Sequence, residues 1–154
     1  PVAGRIFVTS SSDEKLERAK ELGADAAINY KSADVGREIR RLTSKRGVDL
    51  VVDSAGGPSI DQGLRSLTNG GRLVVSGATA GRRAELDVGR LFWNQLSVIG
   101  STMGSHNDVA EMLRAVAGMG LHPIIDRTFA LDEGRAALDH LATQQQFGKV
   151  VLEI

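Results

Sequence analysis

The chain is predicted to form an open parallel α/β sheet covered by helices. Short apolar runs alternate with segments of helical period along most of its length, and capping residues or glycines stand at the joints. Ile6, Phe7 and Val8 form the apolar run of a buried parallel strand. Ser11 and Glu14 stand at capping-box spacing, Leu16, Ala19 and Leu22 follow at helical period, and Gly23 sits where a left-handed cap is wanted, so a helix is predicted over 12–22. A short strand follows over 26–29, then a helix striped by Val35, Ile39 and Leu42. After a strand over 48–52, Pro58 opens a helix with Ile60, Leu64 and Leu67 on one face. Strands are predicted over 72–75 and 96–100. Val109, Met112, Leu113, Val116 and Ala117 then mark a helix. Alternation over 125–131 predicts a strand, followed by a helix over 132–142.

Composition limits the function. At 154 residues the chain can bury a sizeable core. Nineteen basic and 19 acidic side chains leave no net charge, which argues against nucleic acid or a membrane surface as partner. No apolar run approaches the roughly 20 residues that cross a bilayer. The absence of cysteine removes disulfides, thiolate nucleophiles and cysteine-ligated zinc from this chain. Pro1-Val2-Ala3-Gly4 has neither the basic region nor the apolar core of a signal peptide, so a cytoplasmic location is expected. His106, His122 and His140 lack the i,i+4 spacing of a helical zinc pair and a carboxylate partner, and read as surface or cap residues. No Gly-x-Ser-x-Gly elbow occurs, and Met103, Met112 and Met119 read as packing residues.

The run Ser11-Ser12-Asp13-Glu14-Lys15-Leu16-Glu17-Arg18-Ala19-Lys20-Glu21-Leu22-Gly23-Ala24-Asp25, with Ile28-Asn29-Tyr30, Gly47-Val48-Asp49-Leu50-Val51-Val52-Asp53, Gly70-Gly71-Arg72-Leu73-Val74 and Gly148-Lys149-Val150-Val151-Leu152, resembles the carboxyl-terminal half of the medium-chain dehydrogenase/reductase superfamily, which includes zinc alcohol dehydrogenases and zinc-independent quinone oxidoreductases. The resemblance runs from end to end. It implies a Rossmann-type doubly wound sheet that lacks its first strand and glycine-rich loop, with residues 1–124 a partial dinucleotide-binding domain and 125–154 a segment returning toward an absent catalytic domain. In the usual strand order 3-2-1-4-5-6 the missing strand is central, so the strands at Ile6 and Leu50 are expected to lack their shared neighbour, and the last strand, which the resemblance implies over 149–154, to lack its sheet.

The resemblance also implies a cofactor, NADP with NAD as the other possibility, while any zinc would belong to the absent catalytic domain. Ser10 matches the position where NAD-dependent units carry an acid that repels a 2′-phosphate; a hydroxyl there admits the phosphate, and Lys15 supplies positive charge. Ser11 belongs to the same turn, and Tyr30 matches a tyrosine close to that phosphate. Read without the family, Ser10 suits a strand-end turn, Lys15 a solvated helix face and Tyr30 a sheet rim. Ser54 and Ala55 are implied beside the ribose and nicotinamide, Gly77 and Ala78 where backbone approaches the cofactor, Ser101, Thr102 and Met103 at the carboxamide, and Lys149 at the pyrophosphate. No catalytic residue or metal ligand is identified. The expected partners are a nicotinamide dinucleotide and a second copy of the chain, paired through residues 96–102. The chain itself is expected to be inactive as an oxidoreductase, and the alternative is a non-enzymatic dimerisation or nucleotide-binding module of doubly wound fold.

Overall fold

Apolar runs and caps place the first strand–helix units closely. A computed structural model describes residues 4–154. Strand β1 (Phe7–Ser10) leads into helix α1 (Asp13–Glu21). The cap is Ser12 rather than the expected Ser11. Ser10 Oγ accepts the Ser12 amide at 3.2 Å, which carries the turn one residue further, and Ser12 Oγ then accepts the Lys15 amide at 3.3 Å. Gly23, at φ +104°, closes the helix, its amide donating to Lys20 O. Strand β2 (Ala26–Asn29) pairs parallel to β1, with Ser10 opposite Asn29. Helix α2 (Val35–Leu42), capped by Asp34, lays Val35 and Ile39 onto Ile28.

Strand β3 (Val48–Asp53), helix α3 (Ser59–Ser66), strand β4 (Leu67–Val75) and strand β5 (Ser97–Gly100) build a second parallel sheet in the order β3-β4-β5. Ile60, Leu64, Leu67 and Leu73 form its core, and Leu64 and Leu73 are fully buried. Leu67 belongs to β4 rather than to the helix face, because its backbone is already extended at φ −73°, ψ 146°. β4 therefore starts well before the predicted Arg72: Val48 pairs with Leu67 and Leu50 with Arg72, and the intervening residues bulge through Gly70 at φ +74°. Helix α4 (Val88–Trp93), which the periodicity did not indicate, is a short element capped by Asp87. Trp93 and Met103 are solvent-exposed, so Met103 is not the packing residue it was expected to be.

The two sheets remain separately hydrogen-bonded. Among the described residues β1 pairs only with β2, and β3 only with β4, as expected of strands without a shared neighbour. Phe7 of β1 and Val48 of β3 nevertheless both pack against the Ile28–Val35–Ile39 cluster. Along β3, Leu50 and Val52 stay exposed at 54% and 68%.

These elements make up one compact unit, Pro1–Met103; Gly104–Ile154 form another. In the latter, helix α5 (His106–Met119) opens on a capping box of Ser105 and Asp108 and closes at Gly120, φ +62°. Its Val109, Met112, Leu113 and Met119 are exposed, so the two methionines are not packing residues either. Strand β6 (Ile125–Ala130), a 3-10 turn, helix α6 (Gly134–Ala142) and strand β7 (Lys149–Glu153) follow. β7 was expected to be without a sheet. It pairs parallel to β6 across α6, with Phe129 opposite Leu152, and so gains its ladder from within the chain.

Candidate functional site

Most of the predicted residues stand at or just after the carboxyl ends of parallel strands, where open α/β sheets place their ligands. At the β1–β2 end, Ser10 O accepts the Tyr30 amide at 3.2 Å. Ser10, Ser11 and Tyr30 thus meet where α1 begins, with Lys15 in its first turn; Tyr30 is 47% exposed. Two further residues belong to this end. Asn29 Nδ2 donates to Asp13 Oδ1 at 2.7 Å, while Asn29 Oδ1 accepts the Lys31 amide at 3.0 Å. Sequence reading placed Asn29 at a strand end and Asp13 in a helix turn. The parallel register that joins them through Ser10 was the missing information.

At the β3–β4 end, buried Asp53 folds the following loop back on itself. Its Oδ1 accepts the Ala55 amide at 3.0 Å and the Gly56 amide at 2.6 Å. Asp53 O in turn accepts the Ser76 amide at 2.8 Å. The loops after the two strands are zipped together: Ala80 donates its amide to Ala55 O at 2.7 Å, and Gly56 bridges Gly81. Gly77 lies directly against the Ser54 carbonyl oxygen, leaving no room for a β-carbon, and a β-carbon on Gly56 would stand 2.9 Å from Ala78 Cα. Ser54, Ala55, Gly77 and Ala78 are therefore neighbours. Ser101 joins them at the next strand end, its amide donating to Val75 O at 2.8 Å, and Thr102 and Met103 follow into solvent.

Two groups result in the first unit: Ser10, Ser11, Lys15 and Tyr30 on one sheet, and Ser54, Ala55, Gly77, Ala78, Ser101, Thr102 and Met103 on the other. Lys149 opens β7 in the second unit, its amide donating to Ile124 O at 2.8 Å. Among the described residues no three His, Cys, Asp or Glu side chains converge as a metal ion would require, so a zinc ion does not fit here. His140 does have a carboxylate partner, contrary to expectation: its Nε2 lies 2.8 Å from Asp126 Oδ2, while Asp126 Oδ1 accepts the Phe147 amide at 2.8 Å. This pair ties α6 and the following loop to β6.

The sequence profile of the zinc-binding dehydrogenase family matches residues 3–118. A zinc-type alcohol dehydrogenase-like protein of Schizosaccharomyces pombe is 31% identical over 97% of this chain and 44% of its own length. Quinone oxidoreductase-like protein 2 of Bos taurus is 27% identical over 97% of this chain and 46% of its own. The crystal structure of an NAD-dependent alcohol dehydrogenase superposes with a TM-score of 0.87 at 37% identity, over 97% of this chain and 44% of that one. The chain thus spans less than half the length of these relatives.

Proposed function

The chain belongs to the zinc-binding dehydrogenase family, and on that premise we propose that it is the cofactor-binding part of an NADP(H)-dependent oxidoreductase of the alcohol dehydrogenase or quinone reductase type. The observation that carries the NADP(H) preference is Ser10 at the end of β1, where an acid would repel a 2′-phosphate. Ser10, Ser11 and Lys15 hold that phosphate beside Tyr30. Ser54 and Ala55 flank the ribose and nicotinamide, Gly77 and Ala78 let the cofactor lie against backbone, and Ser101, Thr102 and Met103 face its carboxamide. The absence of a side chain at Gly77 lets the loop after β4 pack directly on the Ser54 carbonyl, which brings the two strand-end loops assigned to the cofactor together. When bound, the nicotinamide supplies hydride exchange with a carbonyl, alcohol, enone or quinone, and this chain orients it. Any zinc would be held by parts of the parent enzyme that this chain does not include.

The described residues hold no glycine-rich phosphate loop ahead of β1. The chain alone is therefore expected to bind dinucleotide weakly and to show no turnover. NADPH and NADH titrations of the chain and of Ser10→Asp, followed by NMR, test the assignment. The substitution should move preference toward NADH by about 1–3 kcal/mol, from a lost charge-assisted contact and added repulsion. Equal affinity for both cofactors, unchanged by the substitution, would overturn it. A micromolar dissociation constant for NADPH would contradict weak binding. A second reading, a homodimer through the edge of β5, is favoured by the exposure of Val98 and Ile99, each 43%.

A further inference from the structure

The first turn of α1 holds an acid, Asp13, tethered within the region assigned to the 2′-phosphate. Asn29 reaches it from the neighbouring strand with a 2.7 Å hydrogen bond to Oδ1, and Asn29 is held in turn by the Lys31 amide at 3.0 Å. Asn29 is the register partner of Ser10, so the tether fixes the Asp13 carboxylate at the strand end where Ser10 stands. Asp13 is solvent-exposed, so its carboxylate is open to a ligand bound at this strand end. A ribose hydroxyl at the Ser10 position can donate to it, whereas a 2′-phosphate placed there adds a dianion to a fixed carboxylate. Lys15 and the amino end of α1 pull the other way, with positive charge and a favourable dipole.

We propose that Asp13 is a specificity-determining residue that opposes the phosphate preference set by Ser10 and Lys15, and that Asn29 is the positioning residue that keeps its charge in place. The proposal rests on the cofactor reading above and adds to it. The chain discriminates between 2′-phosphorylated and 2′-hydroxyl adenosines less than Ser10 and Lys15 alone would make it, and the Asp13–Asn29 pair sets by how much.

The probes are 2′,5′-ADP and 5′-AMP, which address the adenosine end without requiring a pyrophosphate loop. Amide shifts of the isotope-labelled chain give both dissociation constants at low and high salt. Asp13→Asn should raise affinity for 2′,5′-ADP about ten-fold at low salt while leaving 5′-AMP equal or weaker, and the gain should shrink at high salt because it is electrostatic. Asn29→Ala, which frees the carboxylate to swing into solvent, should give a smaller gain of about three-fold in the same direction and the same salt response. A merely structural role for Asn29 would weaken both nucleotides together. Glu14→Gln, the same charge change on a neighbouring exposed residue of that turn, should alter the ratio less than two-fold. Asp13→Asn, Asn29→Ala or Glu14→Gln departing from this pattern, with Ser10 and Tyr30 still shifting, overturns the proposal alone. No shift at Ser10 or Tyr30 with either nucleotide removes the cofactor reading as well. Should Asp13→Asn fail to fold, Asn29→Ala carries the same test.

Discussion

Single residues at turns and caps hold geometry that later elements depend on. Asp34 caps α2 by accepting the Arg37 amide at 2.8 Å and lies 3.0 Å from Arg65 on α3. The hydrogen bond from the Arg37 backbone, aided by the Arg65 charge, holds the Asp34 carboxyl below its usual value near 3.8. A lowered folded-state pKa means stability present above the unfolded value and lost as the pH falls through the folded one. The urea midpoint of Asp34→Ala should therefore lie below that of the parent at neutral pH, with the gap narrowing below about pH 4; a gap independent of pH would contradict the assignment. Gly77 offers a second test. Its contact with the Ser54 carbonyl leaves no space for a methyl group, so Gly77→Ala should cost about 1–3 kcal/mol by forcing the zipped loops apart, and thermal denaturation measures it. At this scale the sequence revealed caps and strand-end hydroxyls but neither Asp13–Asn29 nor Asp126–His140. Both pairs cross from one element to another, 16 and 14 residues apart, so no local spacing encodes them.

Elements were easier to read than pairs. β2 and α2 follow from their apolar periods, since each buries Ile28 or Val35 and Ile39 in one cluster. α1 is also a clear helix, but its cap is Ser12 rather than Ser11, because Ser10 Oγ accepts the Ser12 amide and carries the turn one residue further. The strand expected from Arg72 begins at Leu67, because pairing of Leu67 with Val48 folds Gly70-Gly71 into β4 as a bulge. β5 lies at the outer edge of its sheet, exposed along its length and with no proline or lysine in it. The small Ser97 and Ser101 would let two such edges approach across a two-fold axis. Val98→Pro removes a ladder donor and bends the strand, so sedimentation should find the parent chain dimeric at tens of micromolar and the variant monomeric or aggregated. A monomeric parent, or a dimer untouched by proline, would dispose of the interface.

For the whole molecule, the parallel class was legible because strand-like and helix-like periods alternate, while partner choice was only half so. The separation of β1 from β3 follows from the family's strand order. The pairing of β7 with β6 does not, because the apolar run from Val150 to Leu152 announces a strand without saying which neighbour it meets. Among the described residues the strands fall into three sheets that share no hydrogen bond, and this has a consequence for how the chain comes apart. A continuous sheet melts as one body, but separate ladders open at their own cost, so the chain should lack a single cooperative transition. β4, bonded on both sides, forms the most resistant layer, and Leu73 and Val74 should exchange their amide hydrogens last. β1–β2 and β6–β7 should open earlier, each with its own dependence on denaturant. Native-state exchange showing one common opening free energy for all three sheets would overturn this expectation.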